Sequence, residues 1–146
     1  MTDRTGRCLC GAVTIKAKDI KRGFGACHCK MCQRWSGAAL LAVTVPKDAF
    51  EVTGREHVRT VQSSAWAERA WCNECGSSLW YRETAEDAEG TFEVPLGLFD
   101  DTEGFVLEHE LFVDQKSDAF ALKGDHERLT EADVLRKYGL QAASTA

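Results

Sequence analysis

The sequence predicts a mainly β fold in one domain, with a helix near its C-terminus. Three observations carry this. Short runs rich in β-branched and aromatic residues recur along the chain, separated by turn residues. One segment only has full helix-capping chemistry at both ends. The length of 146 residues fits one domain, taken as 1–146.

The first strand is expected at Ala12–Lys18, where apolar and polar residues alternate. Leu40–Val45 reads as a buried strand that Pro46 ends. Phe50–Thr53 and Val58–Val61 flank Gly54-Arg55 and read as a loose hairpin. Ala65–Trp71 and Ser78–Tyr81 form two strands around a Cys-x-x-Cys-Gly turn, and Thr91–Leu98 and Glu110–Val113 complete the set. The acidic stretch Glu83–Gly90 is expected as an exposed loop. A short turn of helix is expected after Cys32. The main helix covers about 130–138: Thr130 caps it, Asp133 stands in the capping-box position, and Gly139 supplies the stop. Leu129 and Val134 are spaced as a hydrophobic staple, and the final Ala-Ala-Ser-Thr-Ala is expected to fray.

Composition limits the function. A formal net charge of −5 argues against a general nucleic-acid binder, which needs a basic face. No apolar run approaches the length of a membrane span, and the N-terminus lacks the apolar core of a signal peptide. The expected location is therefore the cytoplasm. There, structural disulfides are rare, so seven cysteines call for metal ligation or thiol chemistry, and an odd number cannot pair completely.

The cysteines form three clusters. In Cys8-Leu9-Cys10-Gly11, an extended chain would project both thiols to one side. In Cys72-Asn73-Glu74-Cys75-Gly76, a turn folds two sulfurs toward one point, and Gly76 can take positive φ behind them. Together these four give a closed thiolate tetrahedron suited to a structural zinc, against the alternatives of buried cysteines or a redox pair. The third cluster, Cys27-His28-Cys29-Lys30-Met31-Cys32, offers three sulfurs within six residues. Three protein ligands with one open position is how catalytic zinc is held. Redox-active thiols, or a zinc completed by a distant fourth residue, are the other readings. His28 points away from the sulfurs if the segment is extended, which favours a near-surface or hydrogen-bonding histidine over a ligand.

The motifs CLCGAV from Cys8, CHCKMCQRWSG from Cys27 and RAWCNECGSSLWYR from Arg69 resemble, in order, those of the glutathione-dependent formaldehyde-activating enzyme family, also called the Gfa or centromere-protein-V-like domain. Val45-Pro46, Phe50 and Gly54 also match, and HELFVDQKSDAF resembles the closing segment, with Phe120 where the family commonly has tryptophan. The motif core covers 7–120. The resemblance implies a small zinc-bound β-tent of stacked antiparallel sheets. It implies two zinc ions, one structural on Cys8, Cys10, Cys72 and Cys75, the other catalytic on Cys27, Cys29 and Cys32. The implied activity is that of a carbon–sulfur lyase joining glutathione and formaldehyde reversibly into S-hydroxymethylglutathione.

The expected partners are thus a small thiol and an aldehyde, not nucleic acid or membrane. Arg34 is a cation that could pair with a glutathione carboxylate; a structural salt bridge or a solvated side chain is an equal reading. Trp35 could line a pocket or belong to the core. Trp66, Trp71, Trp80 and Tyr81 read as packing residues on strands. Arg69 and Arg82 receive no role, and His57, His109 and His126 have no evident partners. A zinc-stabilised module that binds glutathione or protein without turnover is the alternative function, and a thiol redox protein a third.

Overall fold

A computed structural model describes residues 2–86 and 90–139. In chain order the strands are β1 (Thr2–Arg7), β2 (Thr14–Ile20), β3 (Gly23–Cys27), β4 (Leu40–Pro46), β5 (Phe50–Thr53), β6 (Val58–Gln62), β7 (Ala67–Cys72), β8 (Ser78–Glu83), β9 (Thr91–Pro95), β10 (Val106–Leu111) and β11 (Glu127–Leu129). Helix α1 (Lys30–Ser36) follows β3, and α2 (Glu131–Tyr138) follows β11. The fold is mainly β, as expected. Part of the expected acidic loop and the whole of the tail expected to fray lie outside the described residues. No described helix is long and apolar enough to cross a membrane.

The chain divides into two compact units. One takes residues up to Arg22 together with Ala42–Phe105; the other takes Gly23–Leu41 and the residues from Val106 onward.

The first unit holds an antiparallel β1-β2-β5 sheet and an antiparallel array in the order β4-β9-β8-β7-β6. Its core comes from the inward positions of the alternating strands: Ile15 and Ala17 on β2, Val43 and Val45 on β4, Leu79 on β8 and Val94 on β9. Phe50, Trp80 and Phe92 pack as an aromatic trio. Trp80 meets each phenylalanine nearly edge-on, at centroid distances of 5.8 and 5.4 Å. The expected hairpin across Gly54-Arg55 is not formed: β5 pairs with β2, and β6 pairs with β7. Four residues between them, including the 3-10 turn Arg55–His57, let the strands part into different sheets.

The second unit is a parallel ribbon, β3-β10-β11, with both helices. The stacked antiparallel arrangement therefore needs amending, because β10 runs parallel to both neighbours. Gly25 faces His109 across the β3–β10 pair, and a Cβ at Gly25 would fall on the imidazole. α2 has the complete capping box between Thr130 and Asp133, ends at Gly139 in the left-handed region, and buries Val134. The apolar core here is small: Ala26, Cys32, Leu40 and Val134 are its buried apolar residues among those described, and His28 and Glu110 are buried as well.

Element edges differ from the sequence reading in detail. Thr91–Leu98 is a strand only to Pro95, then a 3-10 turn over Leu96–Leu98. Of Glu110–Val113 only Glu110 and Leu111 are strand, the end of a longer one beginning at Val106; Val113 opens a 3-10 turn. The helix expected after Cys32 starts earlier and contains it. β1, β3 and β11 were not anticipated. Trp66 precedes β7 in a bend and is half-buried, as is Trp71, so Trp80 alone of these three is a fully buried packing residue.

Candidate metal centres

Cys8, Cys10, Cys72 and Cys75 come together in the first unit, with all four sulfurs within 4.8 Å of one another. Two turns achieve this. Residues 8–11 are not extended: the Gly11 N–H donates to Cys8 O at 3.1 Å, and Gly11 has φ of 81°. The tight turn, rather than strand alternation, brings the Cys8 and Cys10 sulfurs to 3.6 Å. In the second turn, the Gly76 N–H donates to Cys72 O at 2.8 Å, and Gly76 takes φ of 78°. A side chain there would carry the strain of the left-handed region.

Sequence reasoning missed Ser77. Its hydroxyl accepts from the Leu9 N–H at 2.9 Å and lies 3.2 Å from Cys75 Sγ, so one side chain ties the two turns together. The Ser77 hydroxyl is also the largest cause of the Cys75 thiol falling to about 5. The Ala12 N–H favours the Cys10 thiolate, but desolvation and the neighbouring sulfurs push that thiol up to about 12. Four sulfurs this close cannot all ionise on their own. A dication removes the conflict by holding every one as thiolate.

The spacing tests the donor set directly. A disulfide needs sulfurs about 2.05 Å apart. The observed 3.6 Å for Cys8–Cys10 and 3.8 Å for Cys10–Cys72 are far longer, and all seven cysteines are free. A tetrahedron with metal–sulfur bonds of about 2.3 Å has edges of about 3.8 Å. The four residues fit a metal ion.

Cys27, Cys29 and Cys32 come together in the second unit, again with sulfurs within 4.8 Å. Cys27 ends β3, Cys29 is the N-cap of α1, and Cys32 lies in its first turn. Cys29 Sγ accepts the Cys32 N–H at 3.3 Å. Hydrogen bonds with Cys29 and Cys32, and burial, raise the Cys27 thiol well above its ordinary value. Among the described residues no further His, Cys, Asp or Glu joins this trio.

His28 lies between two of these cysteines, and its side chain goes elsewhere. It is 1% exposed, and its Nε2 is 2.7 Å from Glu110 Oε1. His126 Nε2 approaches the other carboxylate oxygen at 2.5 Å, and Arg128 Nε lies 3.2 Å from it. Burial pushes the Glu110 carboxyl up, but the hydrogen bonds from His126 and His28 more than offset it and hold the group below its ordinary value. His28 is thus the hydrogen-bonding histidine of the sequence reading, though buried, and His126 has a partner that the sequence did not reveal. A charged residue between Glu108-His109 and Leu111 on a short strand was the available signal for Glu110.

The remaining residues are accounted for by position. Arg34 is exposed on α1, and Trp35 is half-buried. Arg69 is buried with its guanidinium over the Tyr81 ring at 5.0 Å. Arg82 Nε donates to Glu68 Oε1 at 2.6 Å. His57 lies 3.5 Å from Glu74. Phe120 is exposed, with its ring 6.2 Å from that of His28 and the Lys116 ammonium 4.9 Å from its centroid.

The chain is similar to several known proteins. A Schizosaccharomyces pombe protein named an uncharacterized lyase is 26% identical over 136 residues, covering 93% of this chain and 97% of that protein. A Halomonas elongata protein, provisionally named a glutathione-dependent formaldehyde-activating enzyme, is 31% identical over 83 residues, about half of each chain. A crystal structure of a Rhodobacter sphaeroides protein shares the fold with a TM-score of 0.56 at 18% identity, covering 85% of this chain and 98% of that one. The family model described as glutathione-dependent formaldehyde-activating enzyme matches residues 3–115, and the chain belongs to that family.

Proposed function

We propose that the chain holds two zinc ions and acts as a carbon–sulfur lyase on a thiol–aldehyde adduct such as S-hydroxymethylglutathione. Cys8, Cys10, Cys72 and Cys75 would hold the structural ion, and Cys27, Cys29 and Cys32 the catalytic one. The observation that carries this reading is the contrast between the clusters: four sulfurs saturate a tetrahedral ion, whereas three leave one position for a substrate atom. The names of the relatives support a lyase of glutathione-related chemistry.

When bound by the trio, zinc would favour the thiolate form of an incoming thiol near neutral pH. In the addition direction the thiol proton departs, the sulfur attacks the aldehyde carbon, and the carbonyl oxygen takes up a proton. The reverse breaks the C–S bond and returns thiol and aldehyde. The chain's own residues bind and orient. The β3–α1 turn presents the three sulfurs together, and the exposed Arg34, two residues after Cys32, offers a cation to a glutathione carboxylate. The free state of all seven thiols suits a reducing compartment such as the cytoplasm.

Metal analysis together with exchange NMR tests this. Two zinc ions per chain, with interconversion of glutathione, formaldehyde and the adduct faster than in buffer, is the expected result. Two zinc ions without acceleration would leave a binding module in place of an enzyme. No zinc in protein purified under reducing conditions would point to redox thiols.

A further inference from the structure

We propose that Glu110 is a positioning residue for the three-cysteine cluster, acting through His28 to hold the Cys27–Cys29 segment so that its sulfurs face one point. This rests on the reading that Cys27, Cys29 and Cys32 hold an ion.

The segment is restrained from both sides. The His28 N–H donates to Leu111 O at 2.9 Å, continuing the β3–β10 pairing past Cys27. The Gln33 amide donates to His28 O at 2.5 Å and to Gln115 O at 2.9 Å. Gln115 in turn accepts the Lys30 N–H at 3.1 Å. The imidazole is the last freedom in this strut, and Glu110 removes it. An ionised carboxylate can only accept, so both His28 and His126 must donate from Nε2. Each Glu110 oxygen then has a ring N–H, and the carboxylate is 2% exposed.

Stability alone does not account for this arrangement. Burying ionisable groups is costly, and apolar replacements of similar volume are often at least as stable. Yet this unit, with only four buried apolar residues among those described, places His28 and Glu110 in its interior. Both sit against the metal-binding turn: Glu110 is in register with Ala26, and Leu111 with Cys27. Removing the hydrogen-bond partner of a metal ligand typically weakens metal affinity by about 10–100-fold, and Glu110 acts one residue further out, through His28.

Cobalt(II) substitution provides the test, because thiolate-to-cobalt absorption reports sulfur coordination and chelator competition gives the affinity of each site. Wild-type protein should take up two cobalt ions. Glu110→Gln should weaken the three-sulfur site several-fold, up to about tenfold, with unchanged far-UV dichroism and an unchanged four-sulfur site. In a Cys29→Ser background, where one site remains, the same substitution should change nothing. Gln33→Ala cuts the restraint on His28 O from the half-buried surface of α1, and should weaken the same site even if Glu110→Gln fails to fold. Wild-type affinity at the three-sulfur site in either folded variant would overturn the proposal, as would equal weakening of both sites. One cobalt per wild-type chain would instead sink the two-ion reading, and this inference with it.

Discussion

Cys10 Sγ lies 3.8 Å from Cys72 Sγ, although 62 positions separate them in the chain. The first turn precedes β2 and the second follows β7, so an ion held between them closes a long loop through the first unit. Cys72→Ser should therefore lower stability by several kcal/mol, since structural zinc binding is coupled to folding. Cys29→Ser should leave far-UV dichroism and most of the thermal stability intact while removing one metal ion per chain. Thermal melts paired with metal analysis check both. Equal unfolding by the two variants would contradict the separate roles assigned to the clusters.

The clusters should also release their ions in order. Four thiolates hold zinc more completely than three, and the trio leaves one position to solvent or substrate. A chelator titrated into the holoprotein is expected to remove the ion of Cys27, Cys29 and Cys32 first, with little change in dichroism. The second ion should leave together with the fold of the first unit. A colorimetric zinc indicator read alongside dichroism separates the phases. A single phase releasing both ions with unfolding would count against the order.

Sequence chemistry revealed local structure wherever one signal was enough. The Thr130–Asp133 capping box and Gly139 stop define α2 as expected, because capping is a contact within one turn. The cysteine spacings also sorted the seven cysteines into the four and the three that the structure brings together, because closely spaced thiols in short turns are bound to meet. β1 was missed since Thr2, Arg4 and Gly6, its more sheltered positions, are not apolar. Arg4 is instead packed over the Phe105 ring at 5.5 Å and donates to Glu103 O at 3.0 Å. β3 was hidden by two glycines whose reason is the side chains of Glu108 and His109 on the partner strand. The false hairpin at Gly54 shows the same limit: β5 turns back to the distant β2, while β6 pairs onward with the next strand, β7. Glu110 and His126 are 16 positions apart, and no local pattern links them.

Acid should destabilise the protein partly through Glu110. Its carboxyl is held below the ordinary 4.5 by His126 and His28, with Arg128 also facing it. A folded-state pKa below the unfolded one contributes stability that is complete above the unfolded value. That stability is lost as pH falls through the lowered folded value. Glu110→Gln has no proton to gain there. The stability gap between wild type and Glu110→Gln should therefore be widest near neutrality and narrow progressively below the unfolded carboxyl value. Denaturant melts across that range measure the gap. A gap independent of pH would show that the loss of Glu110 acts through packing alone.

The cap of α2 offers a local test separate from the metal sites. Thr130 Oγ1 accepts the Asp133 N–H at 3.2 Å, and Asp133 Oδ2 accepts the Thr130 N–H at 3.0 Å. Asp114 adds a third bond, accepting the Glu131 N–H at 2.9 Å and joining the helix start to the turn after β10. An eight-residue helix has too few internal bonds to stand alone, so it depends on these caps and on buried Val134. Thr130→Ala should cost about 1 kcal/mol, and Thr130→Ser much less, because serine keeps the accepting oxygen. Hydrogen exchange should quicken in α2 and not in the turns carrying Cys8 or Cys72. Loss of zinc from Thr130→Ala would mean instead that the helix start braces the three-cysteine cluster. The route would run from Glu131 to Gln115, 3.3 Å apart at their side chains, and on to the Lys30 N–H that Gln115 holds.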